Sequence, residues 1–121
     1  PKGRFRFANI RDGLSNTVMV GEKAVARDYM GEPGGWGDGA MYNGEEPGTA
    51  VRLGGLGLGL EANPSAPGPG TLPVFGGPHN KLCMFLFCDG SVQSIPHEID
   101  QFVLAAICSR AGREVVTVGE W

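Results

Sequence analysis

Residues 79–95, HNKLCMFLFCDGSVQSI, constrain this chain more than any other stretch. An apolar run over residues 82–88 meets Asp89-Gly90, and a second extended segment follows over 91–95. Asp-Gly between strand-like runs predicts a β-hairpin, because a type I′ turn needs positive φ at both central residues. A two-residue loop would pair Cys88 with Ser91, Phe87 with Val92, Leu86 with Gln93 and Met84 with Ile95. Leu82, Met84, Leu86 and Ile95 would then share one face, and Phe85, Phe87 and Val92 the other. Both faces are apolar. A strand buried on both sides needs two covering layers, and the chain offers one convincing helix. The expected second cover is a removed segment or a partner subunit.

That helix follows the hairpin. Pro96-His97-Glu98 breaks the strand, Asp100 is a suitable N-cap, and residues 101–110 are expected to be helical. Ile99, Val103, Ala106, Ile107 and Arg110 recur at helical spacing on one face. Arg110 would complement the dipole in the last turn, and Gly112 would close the C-terminus. Residues 114–118 read as a final strand. Near the start, Asp12-Gly13 with Ser15 and Asn16 supplies turn or cap chemistry before a strand over 17–25. Gly21 inside that strand predicts a bulge or a close backbone approach.

Between these ends, residues 31–70 hold most of the glycines and over half of the prolines, which predicts a long irregular surface excursion. Trp36, Met41, Tyr42 and the leucines of 53–60 are too apolar for a free linker. An insertion ordered around Trp36, with one short strand near 49–53, is expected, and Pro67-Gly-Pro69-Gly as its most mobile part. The whole chain of 121 residues reads as one domain, divided into an N-terminal turn and strand (1–30), the insertion (31–70) and the hairpin, helix and final strand (71–121).

A net charge of −3 with no basic cluster argues against a nucleic-acid surface. The longest apolar runs fall far below the roughly 20 residues of a membrane span. With no initiator Met and no signal-peptide pattern at Pro1, trimming before that residue is expected, with any address on the lost part. Cys83 and Cys88 are five apart on one predicted strand and point to opposite faces, so they cannot bridge each other. The three cysteines are expected to be buried free thiols, and the lack of Cys-x-x-Cys argues against structural zinc.

Two separated motifs match one pattern. DGLSNTVMVGE at 12–22, and His79 followed by nine residues and then Asp89-Gly90-Ser91-Val92, resemble the C-terminal half of the planctomycete-type, pilin-like family of unknown function. The ending IDQFVLAAICSRAGREV at 99–115 also resembles that family. Asp12, Gly13, Ser15, Asn16, Glu22, His79, Asp89 and Gly90 are the residues that carry the likeness. The resemblance implies a prepilin-type leader and a long apolar N-terminal helix preceding this chain, as in type IV pilins and type II secretion pseudopilins. It implies a place at the cell envelope or outside the cell. The absent helix is then the natural cover for the two-faced hairpin strand.

Candidate chemistry is sparse. Ten residues of extended chain would put His79 roughly 30 Å from Asp89, so the motif is expected to hold two separate structural devices. A transition-metal role for His79 is the alternative, while His97 in its Pro-His-Glu connection reads as a solvated loop residue. Asp12, Ser15, Asn16 and Thr17 gather oxygen within one turn, and Asp38, Asn43, Glu45 and Glu46 form another oxygen-rich group. Either could hold calcium, although the spacing fits no EF-hand loop and capping explains the first group. No Gly-x-Ser-x-Gly occurs, and the cysteines lie in apolar runs that raise a thiol pKa. No catalytic site is expected.

The expected fold is α+β: an antiparallel sheet, one packed C-terminal helix and a Gly/Pro-rich insertion, as in a pilin-like globular domain without its N-terminal helix. The expected function is non-enzymatic assembly in a pilin-like or pseudopilin-like envelope protein. Self-association or a filament- or secretion-type assembly is the expected partnership, without nucleic acid, and with membrane contact only through the N-terminal helix. No cofactor is expected beyond the calcium alternative. A second reading is a secreted ligand-binding module, carbohydrate included, using Trp36, Tyr42 and Trp121 as stacking platforms. A third is a small metal-dependent enzyme around His79 and His97.

Overall fold

The computed structural model of the chain describes residues 6–31, 38–40, 42, 47–64, 72–114 and 116. Strands β1 (Val18–Gly21), β2 (Leu82–Phe87) and β3 (Val92–Pro96) form one antiparallel sheet in the order β1-β2-β3. The α-helices among the described residues are α1 (Pro47–Ala50) and α2 (Gln101–Cys108). Short 3-10 turns cover Phe7–Asn9, Leu14–Asn16 and Arg27–Tyr29. The α+β class read from the sequence is the class observed.

The hairpin forms at Asp89-Gly90, but its loop has three residues. Phe87 N–H donates to Ser91 C=O at 2.9 Å, and Gly90 N–H donates back to Phe87 C=O at 3.0 Å. Gly90 alone in this loop has a positive φ, 91°, so the turn is a type I turn closed by a left-handed glycine, not type I′. Asp89 Oδ1 helps by accepting from both Ser91 N–H (2.8 Å) and Ser91 Oγ (2.7 Å). The extra loop residue moves the register by one. Cys83 pairs with Ile95, Met84 with Ser94, and Leu86 with Val92. The expected faces are corrected accordingly: Ile95 joins Phe85 and Phe87, and Val92 joins Leu82, Met84 and Leu86.

Only the first of these faces is buried. Cys83, Phe85, Phe87 and Ile95 meet Leu104 and Ile107 of α2, with Leu60 and Ile99 completing the cluster. Phe75 packs edge-on against Phe85 with ring centroids 5.2 Å apart. Gly21 provides the expected close approach, since a Cβ there would lie 2.5 Å from the Phe85 ring. The opposite face stays largely open among the described residues, so they supply no second full cover.

Strand β1 is shorter than the expected 17–25. A bulge falls between Val18 and Val20, and beyond Gly21 the chain pairs through a single bridge, Lys23 with Phe75. Helix α2 starts as expected, with Asp100 Oδ1 accepting from Phe102 N–H (2.8 Å) and Val103 N–H (3.2 Å). It ends two residues early, at Cys108, because Ser109 is already extended at φ −90° and ψ 148°. Arg110 and Gly112 therefore lie outside the helix, and the left-handed residue is Arg113 at φ 65°. Around 49–53 the expected strand is replaced by α1 and a lone parallel bridge between Leu53 and Val74. The insertion still contributes Leu60 to the core. Trp36, Pro67, Pro69 and residues 115 and 117–121 lie outside the described residues, and Glu114 and Val116 are not in a strand. Of the three free thiols only Cys83 is buried. Cys88 and Cys108 are half-buried, Cys88 because it sits in the loop.

Candidate functional site

The two sequence motifs meet along the β1–β2 pair. Residues 12 to 22 and 79 to 89 span equal lengths, and antiparallel pairing sets the end of one beside the start of the other. At the mouth of β2, Glu22 joins them. Its Oε1 lies 2.9 Å from His79 Nε2, its Oε2 accepts from Met84 N–H at 2.7 Å, and its main chain bonds Met84 and Gly76. Gly77 leaves room for this carboxylate, since a Cβ there would sit 2.8 Å from Oε2. His79 thus orients the chain entering β2 through Glu22, a partnership not seen in the sequence although the equal motif lengths contain it.

At the other end, the Asp12 turn holds the hairpin tip and the exit of α2. Leu14 C=O accepts from Asp89 N–H at 3.1 Å, and Thr17 C=O from Cys88 N–H at 2.9 Å. Asp12 Oδ2 accepts from Gly112 N–H and Oδ1 from Arg113 N–H, both at 2.8 Å. Arg11 N–H donates to Arg110 C=O at 2.7 Å. The Thr17 hydroxyl donates to Gly13 C=O, and Asn16 Nδ2 to Asp12 C=O. These polar atoms serve chain geometry, and both Asp12 oxygens are already engaged.

Other candidate residues lie apart. Asp38 sits 4.0 Å from Lys23 Nζ and accepts from Gly31 N–H, whereas Asn43, Glu45, Glu46 and Trp121 lie outside the described residues. Among the described residues no three His, Cys, Asp or Glu side chains converge as a metal site. His97 is half-buried rather than solvated, and its Nε2 is buried without a hydrogen-bond partner. Burial, reinforced by the Glu22 charge, pushes the Cys83 thiol up to about 12, and burial alone pushes Cys108 to about 11. Thiols so raised stay protonated and weakly nucleophilic at neutral pH. Ser91 holds the exposed Asp89 carboxyl below its ordinary range, through its N–H first and then its hydroxyl.

Two surfaces remain that could engage something else. The first is the outer face of the sheet, where Val92 is 62% exposed, Val20 48% and Leu82 40%, with Met84 and Leu86 half-buried between them. Met19, bulged from β1, is 53% exposed beside it. The second is a groove of about 670 Å³ along the free edge of β1, walled by Met19, Val51 and Phe75 and carrying Lys23, Asp38 and Arg52. The sequence patterning grouped Leu82, Met84 and Leu86 on one face but placed Val92 on the other, and it did not reveal the groove, whose walls come from distant segments.

No helix among the described residues is long and apolar enough to cross a membrane. No curated protein and no solved structure matches the chain. A family model matches residues 1–102, which include both motifs, the hairpin and the N-cap of α2. This chain therefore belongs to the family described as "Protein of unknown function (DUF1559)".

Proposed function

We propose that this chain is the globular part of a pilin-like or pseudopilin-like protein of the cell envelope, and that it works by assembly. The observation that carries the reading is the outer sheet face, where Val20, Leu82 and Val92 stand exposed on the side opposite a well-filled core. Contiguous apolar surface of this kind marks contact sites. The Glu22–His79 node ties the end of β1 to the entry of β2, and the Asp12 clip fastens the segment that follows α2. The role asks for a rigid scaffold and no reacting group.

Sedimentation velocity at about 100 µM tests the assembly surface. A dimer or higher species is expected, and it should dissociate when Val92→Lys and Leu82→Lys are combined. A wild-type chain that stays monomeric overturns the assembly surface. The pilin-like architecture has its own test in the encoding gene. Upstream of Pro1 it should specify a short basic leader and an apolar helix of about 20 residues or more. A reading frame that opens at Pro1 would remove that architecture.

A further inference from the structure

We propose that the outer edge of β3 pairs with the same edge of a second copy, antiparallel and centred on Ser94, so that the two sheets join into one. The proposal rests on the assembly reading above and gives it a geometry. Strand β3 is an edge of the sheet. On the side facing β2, Phe87 N–H donates to Ser91 C=O, and His97 N–H donates to Lys81 C=O. Alternation between these two pairs puts the main-chain groups of Gln93 and Ile95 into the β2 ladder, opposite Phe85 and Cys83. The N–H and C=O groups of Val92 and Ser94, and the C=O of Pro96, therefore point away from β2. Nothing among the described residues meets them, and the side chains of Val92 and Ser94 are exposed.

This edge is its own complement. With Ser94 opposite Ser94 of the second copy, the two residues exchange both main-chain hydrogen bonds. Val92 N–H of each copy then faces Pro96 C=O of the other, so every outward N–H finds an acceptor. Proline has no N–H to offer, and in this register it is asked only to accept. No charged residue lies between Ser91 and Pro96, so the edge lacks the lysine or glutamate with which edge strands commonly repel their own kind. The two-fold axis stands perpendicular to the sheet and keeps both outer faces on one side. Across the seam the outer row runs from Leu86 and Val92 to Pro96 and Leu82 of the second copy, so the open apolar surface becomes continuous and twice as wide. A five-residue strand buries little area by itself, which makes the pairing weak and dependent on concentration.

Amide hydrogen exchange, read residue by residue by NMR at about 20 µM and about 500 µM, tests the pairing. The Val92 and Ser94 amides should exchange about fivefold more slowly at the higher concentration, whereas Gln93 and Ile95, held in the β2 ladder, should be protected at both. Ser94→Pro removes an outward N–H and leaves the β2 ladder intact, so this variant should sediment as a monomer at about 500 µM. Ser94→Ala keeps the N–H and should still associate. A wild-type chain that associates while its Val92 and Ser94 amides gain no protection overturns the edge and leaves assembly through the sheet face standing. Association that survives Ser94→Pro does the same. A wild-type chain that is monomeric at both concentrations overturns the edge and the assembly reading together. The exchange comparison needs no substitution, so it decides the matter even if Ser94→Pro folds poorly.

Discussion

The two faces of the three-stranded sheet carry similar side chains and live in opposite surroundings. Cys83, Phe85, Phe87 and Ile95 are sealed against α2 and Leu60, whereas Val20, Leu82 and Val92 remain in solvent. Hydropathy along β2 is nearly uniform, so it does not distinguish the sides. What distinguishes them is the cover: α2 and the insertion fold onto one face. The inner face supplies stability, and the outer face is surplus to it. That asymmetry makes the outer face available for contact.

The largest expected effect breaks the comparison at its centre. Phe85→Ala should destabilise the chain by about 3–5 kcal/mol in urea denaturation, because a fully buried ring leaves a cavity. Val92→Ala on the open face should change stability by less than about 0.5 kcal/mol. Similar values for the two would mean that the faces are not unlike after all.

Gly90→Val should cost roughly 1–3 kcal/mol in the same assay, since φ of 91° resists a β-branched residue although the surrounding space is open. Glu22→Ala removes the acceptor shared by His79 and Met84 N–H, and a loss of about 1–2 kcal/mol is expected, moderated by solvent at this half-exposed side chain. His79→Asn should cost under about 1 kcal/mol, because its partner keeps the Met84 bond. Micromolar zinc binding that vanishes in His79→Asn would instead make the node a metal site.

A smaller effect sharpens the buried side. The Cys83 thiol rises from an ordinary 9.0 to about 12 in the fold, so the folded state keeps its proton where the unfolded chain loses it. The associated stability is fully present below pH 9 and is lost as pH rises toward 12. Cys83→Ala should flatten the decline measured between those values, whatever its effect on stability at pH 7.

Local chemistry accounts for what could be read in advance. The hairpin, its Asp-Gly tip and the Asp100 cap each depend on residues within a few positions of one another. The turn type was misread because Asp-Gly suits two loop lengths, and the Asp89–Ser91 bonds favour the longer. One residue of register then placed Ile95 and Val92 on the wrong faces. The helix end was misjudged for another reason. Arg110 C=O is taken by Arg11, and Asp12 holds the backbone at 112–113, so a distant segment closes the exit that Gly112 was expected to close.

The sequence by itself determined the α+β class, the position of the hairpin and the start of α2, because turn, cap and periodicity act over a few residues. It also contained both motifs and their equal lengths. Only the tertiary structure decided that Glu22 meets His79 and that Asp12 clips the end of the chain past α2. Fold closure alone decided which apolar face is covered and where β1 leaves a groove beside Lys23 and Arg52. The Glu22–His79 and Asp12–Arg113 contacts join residues 57 and 101 positions apart, a separation that no local preference spans.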